Sequence, residues 1–353
     1  MKLSITRACQ WHASPLCANL QRPICYSSPK LYTPLLLRPF NYSASLSDLQ
    51  KWHNWAKSLL SSVGSTFSEL DNGPDSSLLS RELRWLVQDA FEEPSLFPQM
   101  GFQNNRKHVK LRVDVDALYS LWKQRIVERR PFQYIVGCEH WRDLVLSVQE
   151  GVLIPRPETE LIVDLVSELV RNDERFRGGL WADLGTGSGA LAIGIGRILG
   201  QGGRVVATDI SPVAVAVAGF NVKRYALEDV IEVKQGSWFE PLKDVEGKLV
   251  GIVSNPPYIP SEHIPGLQAE VGLHEPKLAL DGGANGMGHL LHLCEGAASM
   301  LKPGGFFAFE TNGEEQCKFL VEYIENCGQN TFCNVNIVSD FTGIQRFVTG
   351  FRQ

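Results

Sequence analysis

A carboxamide, two prolines and a phenol stand together at Asn255, Pro256, Pro257 and Tyr258. Two prolines fix φ and remove two backbone donors, so the carbonyls before and between them face little local competition. Asn255 adds a side-chain carbonyl and Tyr258 a flat ring. Rigid acceptors beside an aromatic face make a receptor for a planar –NH2 group. The apolar run Leu249-Val250-Gly251-Ile252-Val253 leads into Ser254 and reads as a buried strand of a parallel sheet. Ligands of open α/β sheets bind outside the carboxyl ends of the strands. Asn255 to Tyr258 should therefore stand at the rim where chemistry occurs. A plain proline turn would carry the same residues, so the rest of the chain decides.

A second stretch supplies a cofactor loop. Leu180 to Leu184 reads as a strand, Gly185-Thr186-Gly187-Ser188-Gly189 as a turn, and Ala190 to Leu199 as a helix. Glycines let the backbone approach a ligand closely, and a dinucleotide is one candidate. Asp183, two residues before the first glycine, would repel a pyrophosphate but suit a cation. Neither Lys nor Arg lies between Asp183 and Ile195. A sulfonium cofactor fits this loop better. The strand Arg204 to Thr208 ends in Asp209, twenty residues past Gly189, where an acid accepts hydrogen bonds from ribose hydroxyls; it could also cap the helix beginning near Pro212. The strand near Ile231 leads to Trp238, which can stack on adenine or simply pack. The candidate cofactor contacts are Asp183, Gly185, Thr186, Gly187, Ser188, Gly189, Asp209, Trp238 and Asn255.

The elements that must position these groups follow from periodicity. Residues 1–47 hold Lys2, Arg7, Arg22, Lys30 and Arg38, seven serines and no acid, the composition of an organellar transit peptide. Plastid and mitochondrion both fit, the plastid slightly ahead. Removing those five basic residues leaves 29 basic against 39 acidic, a net charge near −10, without the basic surface of a nucleic-acid binder. Residues 48–128 read as a helical bundle: Ser47 and Gln50 as a capping box before Trp52, then helices around Leu79 to Phe91 and Leu118 to Ile126, with the tryptophans as core. The stretch around Gly101, Asn104, Asn105 and Arg106 reads as a loop. Residues 129–155 read as a β-hairpin linker that includes Val152 to Ile154, and 156–353 as the catalytic domain. Pro155 and Pro157 should form a stiff turn over the mouth of the site. No run of 18 apolar residues exists to span a membrane. The eight cysteines contain no C-x-x-C pair and read as free thiols. His289, His292 and Cys294 read as a helix surface, and no metal is expected.

From about Arg129 onward the chain resembles the HemK/PrmC group of S-adenosylmethionine-dependent methyltransferases that act on a glutamine of peptide chain release factors. The resemblance rests on Arg130-Pro131-Phe132-Gln133-Tyr134-Ile135, Leu153-Ile154-Pro155-Arg156-Pro157-Glu158-Thr159-Glu160, Asp183 to Gly189, Ser254 to Tyr258, Glu275-Pro276-Lys277-Leu278-Ala279-Leu280 and Gly343-Ile344-Gln345-Arg346-Phe347-Val348. It implies a doubly wound, Rossmann-like α/β sheet with crossover strands starting near Leu180, Arg204, Ile231, Leu249 and Phe306. Two further strands, near Phe332 and Gln345, would close an antiparallel edge. It also implies S-adenosylmethionine as cofactor, a release factor's Gly-Gly-Gln loop as target, and a pocket-lining place for Glu275 and Pro276.

On this reading Asn255, Pro256, Pro257 and Tyr258 are the catalytic residues. The Asn255 side chain and the Pro256 carbonyl each accept one amide hydrogen, and Tyr258 packs on the amide plane. The expected partner is an organellar release factor, with no nucleic-acid substrate, no membrane and a monomeric enzyme. The alternative is a nucleic-acid methyltransferase acting on an adenine amine, with Tyr258 stacked on the base; the acidic charge speaks against it. A binding scaffold that kept the fold would not need an intact glycine loop, Asp209 and Asn255.

Overall fold

A computed structural model describes residues 31–96, 108–327 and 331–353. Most of the expected leader lies outside the described residues, as does the stretch around Gly101. Residues 31–47 do not fit a removable leader, because Leu35 and Ala44 are buried in the amino-terminal core. There β1 (Tyr42–Ser45) opens the amino-terminal region, followed by α1 (Leu46–Val63), α2 (Thr66–Asp71), α3 (Ser76–Ala90), β2 (His108–Leu111) and α4 (Val115–Val127). β1 pairs antiparallel with β2.

The expected capping box is displaced by two residues. Ser45 caps α1, accepting from the Asp48 N–H at 3.1 Å while its hydroxyl donates to the Asp48 carboxylate. Asp75 and Asp114 cap α3 and α4 in the same way, each at 2.7 Å. Leu79, Leu83, Leu86 and Ala90 bury one face of α3, and each such leucine contributes about 1.5–3 kcal/mol. Trp52 and Trp122 are core residues, and the Trp122 indole donates to the Ala56 carbonyl at 3.1 Å.

An ion cluster joins the helices to the rest of the fold. α5 (Phe132–Val136), the strands β3 (Cys138–Trp141) and β4 (Leu144–Ser147), then α6 (Glu160–Asn172), α7 (Glu174–Arg177), β5 (Leu180–Leu184), α8 (Ala190–Leu199), β6 (Arg204–Asp209), α9 (Pro212–Arg224), β7 (Ile231–Gln235), β8 (Leu249–Ser254) and α10 (Ala269–Gly272) continue the chain. Arg125 of α4 bridges Glu82 of α3 and Glu270 of α10 at 2.7 and 2.9 Å, all three side chains buried. Arg129 adds Asp71 and Glu270 at 3.0 and 2.5 Å.

The hairpin is shorter than expected. It comprises β3 and β4, and Val152 to Ile154 form no strand. The outward edge of β4 is filled by side chains of, and just beyond, α9. Val145 N–H donates to the Tyr225 hydroxyl, Val145 carbonyl accepts from Arg224 and Tyr225, and Asn221 bonds both the N–H and the carbonyl of Ser147.

The chain closes with α11 (Lys277–Leu280), α12 (Gly288–Met300), β9 (Leu301–Glu310), α13 (Glu314–Cys327), β10 (Phe332–Ser339) and β11 (Gln345–Arg352). Seven strands form one sheet in the order β10-β11-β9-β8-β5-β6-β7. β9 to β7 are mutually parallel, and β11 runs antiparallel to both neighbours. β9 starts at Leu301 rather than near Phe306 because Leu301 pairs with Leu249 before a register shift brings Phe306 opposite Gly251. Alternate residues of each strand bury on opposite faces: Trp181 and Val253 against α6 and α8, Ala182 and Ile252 against α12 and α13. This is the doubly wound α/β architecture. Among the described residues no helix is long and apolar enough to cross a membrane.

Candidate active site

The strand order reverses at β5, which lies between β6 and β8; such switch points open a crevice at the carboxyl edge. Ser254, the last residue of β8, donates its hydroxyl to the Leu184 carbonyl at 2.6 Å, locking the two strand ends together. A cavity of about 360 Å³ sits above them. Its walls include Asp183, Gly185, Thr186, Gly187, Ser188, Asp209, Trp238, Asn255 and Pro257, and Pro155 lies at its border. Gly189 stands behind it, with φ +85° and Ala218 close against it.

The glycine loop is not a phosphate cradle. Gly185 and Thr186 N–H both donate to the Thr208 carbonyl at 2.9 Å, and Gly189 N–H to the Thr186 carbonyl at 2.8 Å. Gly187 N–H donates to Asp209 at 2.9 Å. A pyrophosphate site needs such donors free, and no Lys or Arg lines the cavity. Asp183 is 1% exposed. Its Oδ2 accepts from the Thr186 hydroxyl at 2.6 Å and from Ala192 N–H at 3.0 Å, while Oδ1 has no partner. Burial pushes its pKa up to about 7, against those two hydrogen bonds. An orphaned carboxylate oxygen at the wall suits an ammonium group.

Asp209 braces the loop through Gly187 and accepts from Ser211 N–H at 2.8 Å. It does not cap α9; Ser211 does. Burial raises the Asp209 pKa. Trp238 holds φ +46°, a costly conformation for a bulky residue. Its carbonyl is pinned by the Thr208 hydroxyl at 3.1 Å, and its ring lies over Gly185. His289, read from sequence as helix surface, also lines the cavity, its ring 5.3 Å from that of Trp238. His292 is exposed and Cys294 buried, and no group of residues suited to a metal occurs among the described residues.

At the other end of the cavity the sequence missed two residues. Asn255 Nδ2 donates to the Thr159 hydroxyl at 3.0 Å. Thr159 donates to Glu310 Oε2 at 2.6 Å, and the Tyr258 hydroxyl donates to Glu310 Oε1 at 3.1 Å. Glu310 is fully buried at the end of β9; burial lifts its pKa to about 7, helped by nearby Glu158 and opposed by the bond from Thr159. Tyr258 is held well above the ordinary phenol range by burial and by Glu310. A signal was present: a carboxylate closing the apolar run Phe306 to Phe309 at the functional edge of the sheet.

A second cavity of about 280 Å³ is lined by Asn255, Pro256, Tyr258, Leu153, Gln268 and Val271 among others. Asn255, Leu153 and Ala279 belong to both cavities, so the two meet at these residues. Among the described residues the Pro256 carbonyl receives no hydrogen bond. The Tyr258 carbonyl accepts from Gln316 at 2.9 Å and packs on Gly286. Glu275 lines neither cavity. It is buried, accepts from Ile154 N–H at 3.2 Å and pairs with Arg156 at 2.7 Å, and so fixes the turn at Pro155. Pro276 does line the first cavity.

Residues 156–256 match the family described as ribosomal protein L11 methyltransferase (PrmA). A release factor glutamine methyltransferase of Thermosynechococcus vestitus is 35% identical over 303 residues, 85% of this chain and 97% of its own length. One from Gloeobacter violaceus is 41% identical over 236 residues, 67% of this chain and 79% of its own. Among solved structures, the hMettl16 catalytic domain in complex with an RNA hairpin is 16% identical with a TM-score of 0.48, covering 73% of this chain and 88% of that one.

Proposed function

The chain belongs to the release factor glutamine methyltransferase family, and from that premise we propose that it methylates the side-chain amide nitrogen of a glutamine in peptide chain release factors. The carrying observation is the meeting of two cavities at Asn255, one acidic and fit for a cationic cofactor, the other beside Pro256 and Tyr258. S-adenosylmethionine supplies an electrophilic methyl group on a cationic sulfur. Asp183 offers its orphaned oxygen to the ammonium of that molecule, Asp209 takes the ribose hydroxyls, and Trp238 packs on the adenine.

An amide nitrogen is a poor nucleophile because its lone pair is delocalised, so this chain's task is placement. Asn255 Oδ1 and the Pro256 carbonyl each accept one hydrogen of the substrate amide, which aims the nitrogen at the methyl; such positioning lowers barriers by up to about 7–11 kcal/mol. The same two acceptors stabilise the positive charge that grows on nitrogen, the inverse of an oxyanion hole. As the N–C bond forms the S–C bond would break to leave a neutral thioether; the proton becomes acidic only then and passes to solvent, so no strong base is required beforehand. Tyr258 holds the amide plane. Glycines on either side of the target let its backbone approach this narrow acceptor pair.

The client we propose is an organellar release factor, plastid or mitochondrial, with the address carried ahead of Leu31, where four basic residues and no acid occur. The helical layer α1–α4 docks the remainder of that factor, and the enzyme acts as a monomer. The test is labelled-methyl transfer to purified release factor, beside DNA and RNA. Asn255→Ala should lower transfer at least about 100-fold, the scale of losing one oriented stabilising group, with cofactor affinity retained. Near-normal turnover refutes the acceptor role, and label on nucleic acid alone overturns the substrate.

A further inference from the structure

Asn255 serves as an acceptor only if its oxygen, not its –NH2, faces the reaction. The two ends of a carboxamide are nearly the same size, so shape alone does not choose between them. A half-turn of the side chain would set a donor against the hydrogens of the substrate amide. Something must fix the polarity, and the hydrogen bonds behind Asn255 do so.

We propose that Thr159 and Glu310 form a polar relay that locks Asn255 with its oxygen toward the substrate, making both of them positioning residues for methyl transfer. The proposal rests on the glutamine-methylation reading above. The carboxylate of Glu310 stands at the far end, fully buried. Above about pH 7 the Glu310 carboxylate is ionised and only accepts, and its Oε2 takes the single hydroxyl proton of Thr159 at 2.6 Å. That leaves Thr159 Oγ1 only lone pairs to offer to Asn255, 3.0 Å away. The end of Asn255 facing Thr159 must therefore be N–H, and the oxygen is left at the cavities. The other Glu310 oxygen accepts from Tyr258 at 3.1 Å, so one carboxylate holds both ends of the Asn255–Tyr258 segment.

Thr159 confirms the priority locally. It precedes α6 at the helix cap, where a threonine ordinarily accepts from the N–H groups of the first turn. Here it makes no capping bond, its φ and ψ of −61° and −20° are already helical, and it is buried. A residue that leaves its local role unfilled marks a site where another demand prevails. The relay also joins positions 151 and 96 residues apart in sequence, which no local folding preference would bring together.

Thr159→Val and Thr159→Ser, with Glu310→Gln, separate this from the alternatives. Methyl transfer to the release factor, cofactor affinity and melting temperature are measured for each beside the wild type. Valine keeps the shape and removes the hydroxyl: kcat should fall about tenfold or more, with KM and cofactor affinity within about twofold. Serine restores the donor and acceptor, and should recover kcat to within about threefold of wild type. Glu310→Gln keeps a carbonyl oxygen for Thr159, and should cost kcat less than Thr159→Val. The reverse ranking, with glutamine severe and valine mild, means that Glu310 acts without Thr159 and overturns the relay. So does a valine variant with normal kcat, or a serine variant no better than valine. If Thr159→Val does not fold, Thr159→Ala replaces it, and a normal kcat in that variant overturns the relay. A wild type that leaves the factor's glutamine unlabelled refutes the functional reading instead.

Discussion

Asp183→Asn should move stability and cofactor affinity in opposite directions. In the folded chain the Asp183 pKa is pushed from 3.8 to about 7. The folded state therefore holds the proton through a window in which the unfolded chain has released it. Stability from this group is lost as pH rises from about 4 to about 7, the reverse of a salt-bridged carboxylate. About three units at 1.4 kcal/mol each gives a penalty near 4 kcal/mol at pH 8. Asparagine keeps an oxygen for Thr186 and Ala192 but turns an –NH2 to the spot where Oδ1 has no partner, which costs about 1–3 kcal/mol. The ligand-free variant should be about 1–3 kcal/mol more stable than wild type at pH 8, with the gain shrinking by about 2 kcal/mol at pH 5.5. Losing the charge-assisted bond to the cofactor ammonium should weaken binding by about 1.5–3 kcal/mol, or about 10- to 150-fold in Kd. Urea unfolding at the two pH values and calorimetric titration with S-adenosylmethionine read both quantities. Wild-type affinity should itself rise with pH up to about 7 and then level. A variant that binds as tightly as wild type, or is less stable at pH 8, refutes the reasoning.

Other changes test the frame around the site. Asp209→Ala removes the proposed ribose acceptor and the brace on Gly187, and calorimetry should show a loss of about 1.5–3 kcal/mol; unchanged affinity would limit Asp209 to a turn residue. Gly286 sits at φ +73°, and a Cβ there would lie 2.2 Å from the Tyr258 carbonyl oxygen. Gly286→Ala should lose at least about 1–2 kcal/mol in a thermal melt, with turnover falling more than cofactor affinity. Arg125→Ala leaves Glu82 and Glu270 buried without their shared partner; the expected cost is about 3–5 kcal/mol, visible as a lower denaturant midpoint.

Periodicity located the parallel strands and the helices beside them because each is a local pattern facing a continuous core. Where pairing partners are distant, the sequence is silent. β1 is four residues long and exists only because His108–Leu111 lies against it, and the burial of Leu35 is likewise tertiary, so composition alone extended the expected leader to residue 47. Val152 to Ile154 look like a strand, yet Ile154 N–H goes to Glu275 and Leu153 borders both cavities. The acidic and glycine lining of the first cavity was legible because a glycine turn, an acid before it and an acid at the next strand end have fixed offsets. Thr159 and Glu310 were not: each reads as a cap or a strand end until the fold brings them together behind Asn255.

The side chains along β4 carry a consequence for self-association. A two-stranded hairpin ordinarily presents a bare row of N–H and carbonyl groups to any extended segment that passes, a template for unwanted pairing. Here both outward groups of Val145 and both of Ser147 are already matched by Tyr225, Arg224 and Asn221, so three side chains stand in for a third strand. Asn221 also donates to the Ser188 carbonyl at 2.8 Å. The amide that closes the hairpin against intruding chains therefore also tethers the cofactor loop. Asn221→Ala should uncover part of the β4 edge and slacken that loop together, coupling a tendency to aggregate with a loss of cofactor affinity.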